Sequence, residues 1–146
     1  MDRALVSACL LGMRCRYDGE SKPSASLLAR LRSRDLLPIP ICPEQMGGLP
    51  TPRVPNEIRG GDGGDVLDGK ARVLDTDGVD RTAAFIAGAR EALALARLLG
   101  IGVAYLKTGS PSCGCGFIKC EGRLVEGDGV TAALLKRHGL KVVAVE

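Results

Sequence analysis

Short apolar runs alternate with amphipathic stretches along this chain, and that alternation limits its fold more than any other feature. Residues 5–10, 37–42, 101–106 and 140–145 each read as a buried strand, dominated by Leu, Val, Ile and Ala. Helical patterns lie between them. Residues 24–34 put Leu27, Leu28 and Leu31 on one stripe and Arg30, Arg32 and Arg34 elsewhere, with Ser24 or Ser26 as a cap. Residues 80–99 carry Ala84, Phe85, Ala89, Ala92, Leu93, Ala96 and Leu99 on a broad face, and Gly100 suits the stop. Residues 130–137 form a last helix ended near Gly139. Near-continuous apolar strands separated by helices predict an α/β, three-layer Rossmann-like fold. Its sheet is mostly parallel, of about four to five strands, with helices on both faces.

Local signals refine this outline. Pro38 and Pro40 remove ladder donors and put the second strand at an edge. Residues 117–119 and 122–125 form a small β-hairpin insertion, and residues 66–74 read as two short strands around the Asp68-Gly69 turn. Residues 43–64 read as a long irregular stretch with apolar and charged residues interleaved, as in an ordered binding loop. The run from Gly60 to Gly64 opens no recognisable helix, so it gives little support for a phosphate cradle.

With 146 residues, one domain spanning 1–146 is expected. No apolar run is long enough to span a bilayer, and the N-terminal residues lack the pattern of a signal peptide. A cytoplasmic setting follows, with no membrane partner. The net charge of +3 does not demand a nucleic-acid partner. Two Tyr, two Phe and no Trp make a base-stacking platform hard to build. A monomer or homodimer is expected.

Cytoplasmic thiols stay reduced, so the six cysteines read as ligands or reactive groups rather than a disulfide framework. Four sit in Gly- or Pro-rich settings: Cys9, Cys15, Cys42 and Cys113. Three of these, Cys9, Cys42 and Cys113, follow strand-like runs. In a parallel sheet they meet at the carboxyl edge, where ligands bind. Three adjacent strand ends span ~10 Å, which suits a cubic cluster better than one zinc ion. The paired C-x-x-C knuckles of structural zinc sites are also missing. Zinc remains the alternative metal, and Cys115 with Cys120 forms the nearest local grouping. Thiols at three corners would leave one iron open as a Lewis acid. Glu44, Ser110, Ser112 and Asp18 lie beside these thiols as candidate acid–base or orienting groups. The one histidine, His138, falls at a helix end, which argues against Cys-His and Ser-His-Asp catalysis.

Several motifs now join in order. They are Ser7-Ala8-Cys9-Leu10-Leu11-Gly12, Cys15-Arg16-Tyr17-Asp18-Gly19, Cys42-Pro43-Glu44, Gly47-Gly48-Leu49-Pro50-Thr51-Pro52-Arg53, Ser110-Pro111-Ser112-Cys113-Gly114 and Gly129-Val130-Thr131-Ala132-Ala133-Leu134-Leu135. Over nearly the whole chain they resemble a small bacterial domain, long catalogued as of unknown function, whose characterised members are thiouracil desulfidases. The resemblance implies an enzyme that carries a 4Fe–4S cluster on three cysteines and removes sulfur from a small thiolated base without redox chemistry. Matched motif by motif, it implies Cys9, Cys42 and Cys113 as ligands, with Cys15 in reserve. Glu44 and Ser110 would then transfer protons and orient substrate, with Ser112 and Asp18 as substrate-binding residues. Cys115 and Cys120 depart from the family pattern, which has a Gly-Ser-Gly run followed by an aromatic and acidic turn. The alternative is a non-catalytic metal- or cluster-binding module in sulfur or metal handling.

Overall fold

The computed structural model describes residues 2–146. The first strand, β1 (Asp2–Ser7), ends in a tight 3₁₀ turn over Ala8–Leu11. Helix α1 (Ala25–Ser33) follows, its start capped by the Ser24 hydroxyl, which accepts from the Leu27 amide. Strand β2 (Leu36–Ile41) runs directly into the one-turn helix α2 (Pro43–Met46). Then come β3 (Asn56–Arg59), α3 (Gly63–Leu67), β4 (Arg72–Asp75) and the long helix α4 (Thr82–Leu99). The chain closes with β5 (Val103–Lys107), β6 (Phe117–Cys120), β7 (Arg123–Glu126), α5 (Val130–Arg137) and β8 (Lys141–Val145).

Four strands form one parallel sheet in the order β2-β1-β5-β8. β1 and β5 are central, and their residues Ala4, Leu5, Val6, Ala104, Tyr105 and Leu106 are buried on both faces. That is why they carry no polar alternation. The proline-bearing β2 takes an edge, where missing amide donors cost nothing to a second neighbour. One face packs on Leu27 and Leu31 of α1. The other packs on Ala92, Leu93 and Ala96 of α4 and on Ala132 and Leu135 of α5. The three-layer α/β expectation therefore holds. Among the described residues, no helix is long and apolar enough to cross a membrane.

Residues 43–75 depart from the reading above. The stretch after Cys42 is not irregular throughout, because it contains α2 and β3. Residues 66–74 are not a local hairpin. Val66 and Leu67 end α3, which the Asp62 and Asp65 side chains close with reciprocal bonds to each other's amides. The strand partner of β4 is β3, antiparallel, with Ile58 opposite Val73. The glycine run thus does open a helix, though a helix of one turn. Alternation in 66–74 misled because an Asp-Gly turn serves equally well after a helix. The β3–β4 pair and β6 share a smaller core with α3 and α4, built around Ile58, Val66, Val73, Phe85, Ala89 and Ile118.

Candidate active site

The carboxyl ends of β2, β1 and β5 lie side by side, and the segments leaving them enclose a cavity of about 330 Å³. Cys9 reaches its wall from the turn after β1, and Cys15 from the loop beyond that turn. Cys42 is the residue before α2, and Cys113 lies on the loop after β5. Cys9, Cys15 and Cys113 are buried and Cys42 is half-buried. All six cysteines of the chain are free thiols.

Two backbone devices hold these segments. α2 crosses α4 where Gly47 faces Ala84 and Gly88 faces Pro43, and a Cβ at either glycine would collide with a backbone carbonyl. That close approach fixes Cys42 and Glu44 against α4. The cysteine loop is anchored by α5. The first amides of that helix donate to loop carbonyls: Gly129 to Gly114 at 2.7 Å, Val130 to Pro111 at 2.8 Å and Thr131 to Ser112 at 2.9 Å. Donors that would otherwise be orphaned at a helix start thus set the position of Cys113.

The thiols act on one another. The neighbouring Cys15 side chain holds the Cys9 pKa below the usual value, against burial. The Cys42 thiol donates to the Cys15 carbonyl at 3.7 Å, and Cys42 favours the Cys15 thiolate, but neighbouring Cys9 and burial outweigh this and push Cys15 up to about 11. The Cys42 pKa is pushed up by the Cys15 side chain beside it and by burial. Burial, then the nearby Glu44 charge, raises Cys113 to about 12. The thiols are neighbours, yet among the described residues no three His, Cys, Asp or Glu side chains close on a point that would hold a single metal ion.

Beside the thiols runs a chain of polar groups. Ser112 Oγ donates to Glu44 Oε1. Ser110 Oγ lies 3.0 Å from Ser112 Oγ and accepts the amides of Ser112 and Cys113, each at 3.1 Å. With the Ser112 proton on Glu44, Ser110 is the donor of the serine pair. The chain therefore has a direction, from Ser110 at the cavity wall through buried Ser112 to Glu44. The other carboxylate oxygen of Glu44 accepts Arg53 Nη2 at 2.9 Å. Arg16, Lys107 and Lys119 also line the cavity. Burial lowers the Lys107 pKa.

The structure thus brings Cys9, Cys15, Cys42, Cys113, Glu44 and Ser110 to one cavity, with Ser112 directly behind. It does not bring Asp18. That residue is exposed, outside the cavity lining, and its carboxylate accepts the Glu20 amide at 2.9 Å. The Asp18-Gly19 pair is a turn, and turn chemistry explains the aspartate. Cys115 and Cys120 also lie outside, their thiols turned to the carbonyls of Val142 and Ile58. Arg53 and Lys107 received no role from the sequence. Only the position of Arg53 in a Pro-rich segment beside the cysteines hinted at one.

A family model described as 2-thiouracil desulfurase matches residues 4–146. The chain belongs to the 2-thiouracil desulfurase family. It is therefore an enzyme by descent, as the resemblance implied. A solved structure titled "[4Fe-4S]-dependent thiouracil desulfidase TudS" superposes with a TM-score of 0.84 at 44% identity, covering 99% of this chain and 91% of that one. The uncharacterized protein YbbK of Bacillus subtilis (strain 168) is 42% identical over 143 residues, 96% of this chain and 93% of its own. In this desulfurase-family chain the thiol-lined cavity lies at the carboxyl edge of the parallel sheet.

Proposed function

We propose that this chain replaces the sulfur of a thiouracil-like base with oxygen from water and releases sulfide, using a 4Fe–4S cluster held by Cys9, Cys42 and Cys113. The single observation that carries the reading is the meeting of four thiols with the Glu44–Ser112–Ser110 chain at one cavity. The donor set fits the cofactor. Thiolates are soft ligands of the kind that hold iron–sulfur clusters, and four cysteines line this one cavity. The solved relative titled as 4Fe–4S-dependent supports the same choice. Thiols held protonated by one another and by burial would release protons on metal binding. When bound, the cluster supplies a Lewis-acidic iron with affinity for a thiocarbonyl sulfur.

The protein's own residues handle the rest. The overall change exchanges C=S and H₂O for C=O and H₂S, with no electrons gained or lost. A water attacking the ring carbon must lose protons, and the departing sulfide must gain them. Ser110 stands at the cavity wall with its lone pairs engaged by two amides, so its hydroxyl proton points along the chain. Glu44 lines the cavity itself and takes the proton from water, while the serine chain bonded to Oε1 orients its carboxylate. The basic groups Arg16, Lys107 and Lys119 on the same wall favour the anionic character that develops on sulfur as it leaves. A passive cluster carrier would have no use for a half-buried acid joined to two hydroxyls beside the thiols. In this reading the reaction belongs to a reducing compartment, the cytoplasm, where thiols such as these six stay free.

The test is anaerobic reconstitution with iron and sulfide, followed by iron counting and sulfide release from 2-thiouracil and 4-thiouracil without a reductant. Brown protein that forms uracil supports the reading. Colourless protein that holds stoichiometric zinc and releases no sulfide defeats it.

A further inference from the structure

The side chain of Arg53 is buried, only 7% exposed, and its contacts tie the site to the loop at residues 50–51. Nη2 donates to Glu44 Oε2 at 2.9 Å and to the Cys15 carbonyl at 3.1 Å. Nη1 donates to Thr51 Oγ1 at 3.0 Å and to the Pro50 carbonyl at 3.2 Å. Its own amide donates to the Tyr17 carbonyl at 2.7 Å. We infer that Arg53 is a positioning residue of the desulfuration site, a fork that ties Glu44 to the Cys15 loop so that thiols and proton chain are assembled together. The inference rests on the desulfuration reading and adds to it how the site is held.

Three arguments support the role. The Cys15 loop and α2 are separated in sequence by helix α1 and strand β2, so something must register one against the other. Arg53 is bonded to both. Occupying Oε2 leaves Glu44 with Oε1 alone facing Ser112, which orients the carboxylate at the end of the serine chain. Finally, the geometry asks for a planar fork. A single nitrogen bridges a carboxylate and a carbonyl while its partner nitrogen reaches two further oxygens. A lysine ammonium on a flexible stem keeps the charge and loses that simultaneous reach.

The test compares wild-type, Arg53→Lys and Arg53→Ala in the full chain, reconstituted anaerobically. In Arg53→Lys the iron content stays at the wild-type level, kcat for thiouracil falls about a hundredfold, and KM stays within about threefold. In Arg53→Ala, added guanidinium restores at least about a tenth of the lost kcat, and it does nothing for Arg53→Lys. Amide exchange of residues 13–18 speeds up by about tenfold in both variants, while residues 110–114, anchored by α5, are unchanged. Wild-type kcat in Arg53→Lys, or unchanged exchange at 13–18, overturns the inference. The exchange readout needs no turnover. If the wild-type protein releases no sulfide, the desulfuration reading fails while exchange at 13–18 still decides the clamp.

Discussion

Single residues at this site have separable tasks. Glu44 holds a proton-accepting oxygen against Ser112 and touches no cysteine sulfur through a hydrogen bond in the described structure. Glu44→Gln should therefore retain iron and slow turnover at least tenfold, about 1.4 kcal/mol of barrier. Iron counting and steady-state sulfide release check this, and unchanged turnover would remove Glu44 from the mechanism. Cys113→Ala removes a thiol that is buried in the apolar core and faces Cys9 and Cys42 electrostatically. It should abolish iron retention, read by iron analysis after reconstitution. These residues were legible because glycines, prolines and apolar runs mark cysteine settings locally. Arg53 was not, because its burial depends on carbonyls at positions 15 and 50 and a carboxylate at 44 meeting in space.

Whole elements carry the site by how they pack. The crossing of α2 on α4 leaves no room for a side chain at Gly47 or Gly88. Gly88→Ala should force the two helices apart, cost about 1–3 kcal/mol and lower the melting temperature. Because α2 carries Glu44 and follows Cys42, activity should fall further than stability alone explains. A variant that melts like wild type would show that the crossing is loose. The turn from β4 into α4 offers a pH test. Burial raises the Asp75 pKa, but the amides of Val79 and Asp77 and the Arg81 guanidinium outweigh it and hold the carboxylate below its usual range. A group depressed in the folded state stabilises above its unfolded pKa. Asp75 therefore stabilises fully above about pH 4, and its contribution is lost as pH falls through its lower native value. Asp75→Asn should melt below wild type at neutral pH, with the gap closing in acid. Thermal melts across that range check it, and a constant gap would refute it.

At the scale of the molecule, three packed cores are built mainly from aliphatic and aromatic side chains, with Cys113 in one and Cys9 and Cys15 in another. The iron-free protein should keep its fold and lose sulfide release. Iron loading should raise the melting temperature, because a ligand bound only by the folded state adds to its stability. Circular dichroism before and after chelation checks the pair of outcomes, and loss of secondary structure on chelation would contradict it.

The sequence by itself determined the parallel sheet, the edge position of β2, the helices α1, α4 and α5, and the placing of cysteines just past apolar runs. Those features are local: periodicity, prolines and caps act within a few residues of where they are written. The tertiary structure alone decided that β4 pairs with β3, that Asp18 stays outside, and that Glu44 meets Ser112 across 68 positions. It also decided that Arg53 is buried among their neighbours. Polar side chains of ordinary type have no pattern that announces their partners. Which carboxylate finds which hydroxyl is set by the order in which buried strands lie together, and that order exists only once the chain has folded.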